Sequence, residues 1–239
     1  VVPDSAPPTV PPNPRHHPLV ISIVFALSAY FLVPELLSHA VSGLEGRFAN
    51  NRWVVWVLNS AFAWALFFLT YAGIRLSGFR LFEVIDGHWQ LRQPVKYYVK
   101  ATFVLGVLVL AVDISLAFAG AFSRSSRPLP GTIVEFLLAI FRMASAGFIE
   151  EVIFRGFLLG EFTSITNRPV LATYLRAVLF ACAHGWDQTA IGWVDKFLSG
   201  LLFAWSLKKT KSLIPAILVH SGLNTLAILL VGILKWSQQ

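Results

Sequence analysis

Long apolar stretches broken by short polar clusters set the rhythm of this chain. Apolar windows recur at about 19–38, 53–74, 97–122, 131–160, 170–184, 190–207 and 213–235, several of them about 18 or more residues long and poor in charge. They run continuously and do not alternate, which predicts helices and excludes the period-two pattern of a membrane β-barrel. A helix of that length crosses a hydrocarbon core about 30 Å thick. The pattern therefore predicts an all-α, polytopic transmembrane bundle of about seven spans.

The intervals between windows are equally informative. Residues 1–18, VVPDSAPPTVPPNPRHHP, hold seven prolines, so a disordered or polyproline-like tail is expected there, most simply a linker. The first residue is Val, so an upstream processed segment is compatible with the sequence. Between the second and third windows, RLSGFRLFEVIDGHWQLRQPVK mixes polar and aromatic residues with the breakers Gly78, Gly87 and Pro94, which predicts a loop with a short interfacial helix. Three regions follow: the tail at 1–18, amino-terminal spans and interfacial loop at 19–130, and a helical core at 131–235.

Composition strengthens the membrane reading. Of 239 residues, 56% are hydrophobic and only 13% charged, and the mean hydropathy is +0.68, outside the usual balance of a soluble domain. The formal charge of +7 resides in Lys and Arg between the apolar windows, so it reads as a topology signal and not as a nucleic-acid surface. Arg15, Arg75, Arg80, Arg92, Lys96, Arg168, Lys208, Lys209 and Lys211 fall on one side, against Arg47, Arg52, Arg124, Arg127, Lys196 and Lys235 on the other. This bias places the amino terminus in the cytoplasm of a plasma (inner) membrane protein and, with seven spans, the carboxyl terminus outside. A eukaryotic organelle membrane is the alternative location. Trp53, Trp186 and Trp236 sit at window edges, as interfacial anchors do. The single cysteine, Cys182, allows no internal disulfide.

Against this background, ionisable groups inside the apolar windows stand out, because a charge at the bilayer centre costs about 2.5–3.5 kcal/mol on insertion scales. The fourth window contains AGFIEEVIFRG, residues 146–156. Glu151 and Arg155 stand four residues apart, the favourable order for an ion pair on one helical face, while Glu150 lies about 100° round the helix from Glu151. Glu150 is thus the less neutralised carboxylate. The fifth window places Phe180 and His184 four apart, and the seventh places His220 and Asn224 at the same spacing. At about 1.5 Å per residue, Glu150, His220 and His184 lie roughly 15, 12 and 20 Å from the cytoplasmic ends of their spans, so they can share one layer. Gly156 and Gly160 form a GxxxG that favours close helix approach.

A carboxylate and an imidazole in a dry cavity can hold and deprotonate a water for attack on an amide, and a second imidazole with an amide N–H can stabilise the oxyanion. The same Glu150, His184 and His220 could instead ligate zinc, with water in the fourth position.

Glu150-Glu151-x-x-x-Arg155, Phe180-x-x-x-His184 and His220-x-x-x-Asn224, in this order on separate apolar segments, closely resemble the CAAX protease and bacteriocin-processing enzyme family (CPBP or Abi), intramembrane endopeptidases that include type II CAAX prenyl endopeptidases. The resemblance covers about residues 131–235. It implies an active site between the later four helices and hydrolysis of a peptide bond in a membrane-associated substrate, CAAX-type prenylated proteins being one class. Carried over by position, Glu150 and His184 would activate the water, His220 and Asn224 would bind the oxyanion, and Glu151, Arg155 and Phe180 would support the site. The family is often described as metalloprotease-like, and a metal-free glutamate mechanism has also been argued for it. The lack of HExxH and the presence of Asn224, a better oxyanion donor than metal ligand, favour no cofactor, with zinc as the alternative.

Plainer readings exist for each group. A Glu–Arg pair can simply tether helices, and a single membrane histidine is more often a structural hydrogen-bond donor. Asp113 lies outside the resemblance and is read as a pairing or cavity-lining carboxylate, while His16, His17, His39 and His88 lie in tail or loop segments. Cys182 faces away from His184 and reads as inert. The rival functions are a non-catalytic membrane scaffold or immunity-type protein, and a proton-coupled transporter using Glu150 and Asp113. The expected partners are the lipid bilayer and a protein or peptide substrate, with no nucleic acid. GxSxG and HExxH are absent, and no GxGD accompanied by a second membrane aspartate occurs.

Overall fold

The computed structural model describes residues 18–32, 43, 52–86, 95–119, 130–185 and 189–236, and those residues are helical with no strand. The expectations for the proline-rich tail, His39, Arg47, His88, Arg124, Arg127 and Trp186 lie outside them.

The helices are α1 (Pro18–Leu32), α2 (Arg52–Leu76), a short α3 (Leu81–Asp86), α4 (Val95–Phe118), α5 (Ile133–Glu151), α6 (Leu159–Thr166), α7 (Pro169–Cys182), α8 (Ala190–Thr210) and α9 (Ile214–Trp236). A π-helical segment, Val152–Leu158, joins α5 to α6 without a break. The predicted windows correspond to these helices, and the short helix expected between the second and third windows is α3. The fourth window differs. Its helix runs on to Thr166, six residues beyond the predicted end, and its middle is wound as π and not α. VIFRGFL holds no proline, and its one glycine, Gly156, does not by itself distinguish π from α winding.

Local chemistry fixes the helix ends. Thr132 caps α5 by accepting from the Glu135 N–H at 3.2 Å, while the Glu135 carboxylate accepts from the Gly131 N–H at 2.6 Å, a reciprocal arrangement like a capping box. Asn167 (φ 52°) turns left-handed to end α6, and Pro169 opens α7 at a position where its missing N–H costs nothing. Thr189 caps α8 on the Gly192 N–H, and Lys211 (φ 59°) ends that helix. The Leu213 N–H then donates to the Ile85 carbonyl at 2.7 Å, tying the start of α9 to α3.

Two helices, Trp53–Leu76 and Val95–Phe118, are long and apolar enough to cross a membrane, and Pro18–Leu32, Pro169–Cys182 and Ile214–Leu230 are shorter apolar helices. On α4 a stripe of Val99, Phe103, Val107, Leu110, Ile114 and Phe118 faces outward, with Phe118 90% exposed. So long an apolar face is unfavourable in water and natural against lipid tails.

The α5–π–α6 rod lies at the centre. One core cluster packs α1, α2, the π segment and α7 around Leu27, Phe154, Leu158 and Phe180. A second joins α4, α8 and α9 through Leu105, Phe203 and Val219. Where α9 packs along α5, a Cβ on Gly147 would collide with the backbone of Ser221, so only glycine permits this approach. Gly156, the first glycine of the predicted GxxxG, faces Val84 and Leu213 just as closely, where a Cβ would meet them at 2.6 and 3.3 Å.

Candidate active site

Gly147 sits one turn before Glu150 and Glu151, and Ser221 is the residue after His220. The close approach of α5 and α9 therefore delivers His220 onto the glutamates. His220 Nδ1 lies 2.9 Å from Glu151 Oε1, and Arg155 Nη1 lies 3.0 Å from the same oxygen. The side chains of Glu151 and Arg155 are wholly buried. Glu151 thus serves two partners at once, one from the π segment and one from α9.

His184 projects from the carboxyl end of α7, where its Nδ1 lies 2.8 Å from the Phe180 carbonyl. A carbonyl can only accept, so His184 Nδ1 carries the proton; by the same logic His220 Nδ1–H donates to the Glu151 carboxylate. In the neutral rings both Nε2 atoms then hold lone pairs, and both face one atom. Glu150 Oε2 lies 3.7 Å from His220 Nε2 and 4.0 Å from His184 Nε2. This oxygen is buried and makes no hydrogen bond. The site still has an outlet, since the side chains of Glu150 and His184 are 25% and 26% exposed.

Aromatic rings hold these groups in place. The Phe203 ring stacks on His220 with 14° between planes, and Phe180 meets both imidazoles edge-on. The Arg155 guanidinium carbon lies 4.2 Å from the Phe180 centroid and 5.1 Å from that of Phe203, so the cation is held between π faces as well as against Glu151.

The structure thus brings together Glu150, Glu151, Arg155, Phe180, His184 and His220. Asn224 stands one turn beyond His220 on α9, half-buried, and joins none of the hydrogen bonds among these groups. Asp113, on α4, is not solitary: it lies within electrostatic reach of Asp195 of α8, which pairs with Lys196 at 2.7 Å. Cys182 is buried and unoxidised, in keeping with a packing role.

Sequence reading missed three contributors. Arg142, two turns before Glu150, lies within its electrostatic reach. Arg176 is fully buried and donates to the Gly200 carbonyl, and Phe203 carries the stack on His220. A signal for Arg176 existed, since Arg176, Phe180 and His184 recur every four residues on one face of an otherwise apolar helix. Phe203 had none, being one phenylalanine among 20.

A carboxylate with one buried oxygen facing two oriented imidazoles, among helices that are largely apolar, is an arrangement that can support hydrolysis. Residues 131–226 match the family model described as Type II CAAX prenyl endopeptidase Rce1-like. The match falls on the segment that carries the three motifs and agrees with the resemblance to the CAAX protease (CPBP) family read from them. The match supports a protease of the CAAX type and, with the apolar helices, an integral membrane protein acting on a peptide substrate. Searches of curated proteins and of solved structures found no match.

Proposed function

We propose that this protein is an intramembrane endopeptidase in which Glu150 and His184 activate a water for attack on a peptide carbonyl. The observation that carries the reading is the convergence of two lone-pair nitrogens on the unpartnered Glu150 Oε2. Gaps of 3.7 and 4.0 Å are too long for direct hydrogen bonds but short enough for one water to bridge. That water donates a proton toward Glu150 and attacks as the O–H bond weakens.

His220 takes the complementary part. With Nδ1–H committed to Glu151, its Nε2 can donate to an oxyanion only as an imidazolium, and the Glu151 carboxylate 2.9 Å away stabilises that cation. Asn224 contributes its amide N–H from one turn further along α9. The collapsing intermediate recovers its proton from Glu150 or His184 as the amine leaves.

Zinc is the competing chemistry, and the donor set suits it. Two imidazoles anchored through Nδ1–H on a carbonyl and a carboxylate have the usual outer-shell support of zinc-bound histidines, so Glu150, His184 and His220 would hold the ion. Among the described residues, no group of three or more ligating side chains is assembled as a metal cluster as it stands. Bound zinc would polarise the carbonyl and acidify its water. The metal-free reading is preferred because Glu150 and His184 can serve as bases, and Asn224 with a protonated His220 as oxyanion donors, without an ion.

The fuller architecture is a bundle of about seven spans with the amino terminus in the cytoplasm, cutting near the cytoplasmic leaflet, and prenylated CAAX-type proteins are the substrate class the family name suggests. Reconstitution in liposomes with farnesylated and unmodified CAAX-type peptides, read by mass spectrometry, tests the reading. Removal of the terminal residues from the farnesylated peptide is expected; cleavage of neither peptide overturns it.

A further inference from the structure

Among the described residues Arg176 is the largest fully buried side chain, and it has no carboxylate within ion-pair distance there. Its Nη2 donates to the Gly200 carbonyl at 3.2 Å, while its Nε and Nη1 make no hydrogen bond. A buried guanidinium with so little local compensation is costly, and an apolar residue would fill the gap between α7 and α8 more cheaply. Its surroundings give a reason for the charge. Arg155 Nη2 donates to the same Gly200 carbonyl at 3.4 Å, so two guanidiniums meet at one acceptor. Gly200 permits this, because it leaves the α8 backbone open where a Cβ would sit 3.4 Å from Ala177. Arg176 acts electrostatically on both Arg155 and Glu151.

We infer that Arg176 is a positioning residue of the active site: its charge, set beside that of Arg155 at a shared Gly200 carbonyl, fixes the Arg155 guanidinium against Glu151 and thereby the Glu151–His220 Nδ1 contact. The chain runs from Arg176 to Arg155 and Glu151, then to His220, and ends at Glu150. This inference rests on the peptidase reading for its effect on rate, but the Arg176–Glu151 coupling is measurable without it.

The test uses the full chain in detergent micelles, with a farnesylated fluorogenic CAAX-type peptide as probe and thermal melting as a second readout. Arg176→Gln keeps a donor for Gly200 and removes the charge. It is expected to lower kcat about 10- to 100-fold with KM within about twofold of wild type, and Arg176→Lys to recover a large part of the loss. In melting, the double variant Glu151→Gln/Arg176→Gln is expected to lose less than the sum of the two single losses, because both residues act through Arg155. A packing role moves neither the KM-against-kcat split nor that cycle. Additive melting losses, or an Arg176→Lys as slow as Arg176→Gln, would overturn the inference. Wild-type protein that cleaves nothing while the cycle stays non-additive would remove the peptidase reading and leave the coupling standing.

Discussion

Glu151 Oε1 accepts from His220 Nδ1 at 2.9 Å and forms an ion pair with Arg155 Nη1 at 3.0 Å. One oxygen thereby joins α9 to the π segment and fixes which nitrogen of His220 faces Glu150. The motif spacing suggests a closed Glu151–Arg155 pair; the fold adds a third member and turns a neutralising pair into a support for the imidazole.

Replacing Glu151 should therefore cost more than an ordinary ion pair. Glu151→Gln leaves the buried Arg155 charge without its carboxylate, and breaking such a pair costs about 3–5 kcal/mol. Denaturation in mixed micelles should show a loss of that order, together with a fall in kcat. A melting temperature equal to wild type would contradict the shared-oxygen arrangement.

Gly147→Ala tests the helix approach that assembles the site. The new Cβ meets the Ser221 backbone, which cannot yield as a flexible side chain does. Overpacking of this kind costs about 1–3 kcal/mol or more, and the shift should pull His220 from Glu150 and suppress cleavage. Gly222→Ala, where a Cβ has nothing within 4 Å, is the control and should behave as wild type. Equal behaviour of the two variants would refute the close-approach argument.

Phe203 is expected to matter through His220. Phe203→Ala removes a buried ring and should destabilise by about 3–5 kcal/mol, whereas Phe203→Leu keeps most of the volume and loses the stack. The informative variant is Phe203→Leu, which should melt within a few degrees of wild type yet turn over more slowly. Unchanged kcat in that variant would mean the stack contributes packing alone.

The metal question has a direct assay. Elemental analysis of purified active protein is expected to find substoichiometric zinc, and prolonged chelation should leave cleavage intact. Stoichiometric zinc whose removal abolishes cleavage would replace the water-activation account with a zinc-based one.

The course of the helices was legible because hydrophobic windows report burial directly, and the spacing of Glu150, Glu151 and Arg155 revealed the polar face on α5. The π segment at Val152–Leu158 was not legible. Apart from Gly156 its residues are compatible with an α-helix, and the segment packs against α2, α3, α7 and α8, contacts that a linear pattern does not show. Gly200 and Phe203 escaped for a related reason: their significance lies in what α8 places opposite Arg155 and His220, which a linear pattern does not carry, whereas Arg176 left a trace in its four-residue spacing to Phe180 and His184. Asp113 seemed isolated because Asp195 is 82 residues away in the chain and one helix away in space.

The central claim is that Glu150, facing both imidazoles with an unpartnered oxygen, is the base. Purified wild-type and Glu150→Gln proteins, matched by melting temperature, should be compared for single-turnover cleavage of a farnesylated CAAX-type peptide. The substitution keeps the side-chain volume and removes the basic oxygen, so the rate should fall by about 100-fold or more with the fold intact. A Glu150→Gln protein that cleaves at the wild-type rate would contradict the account.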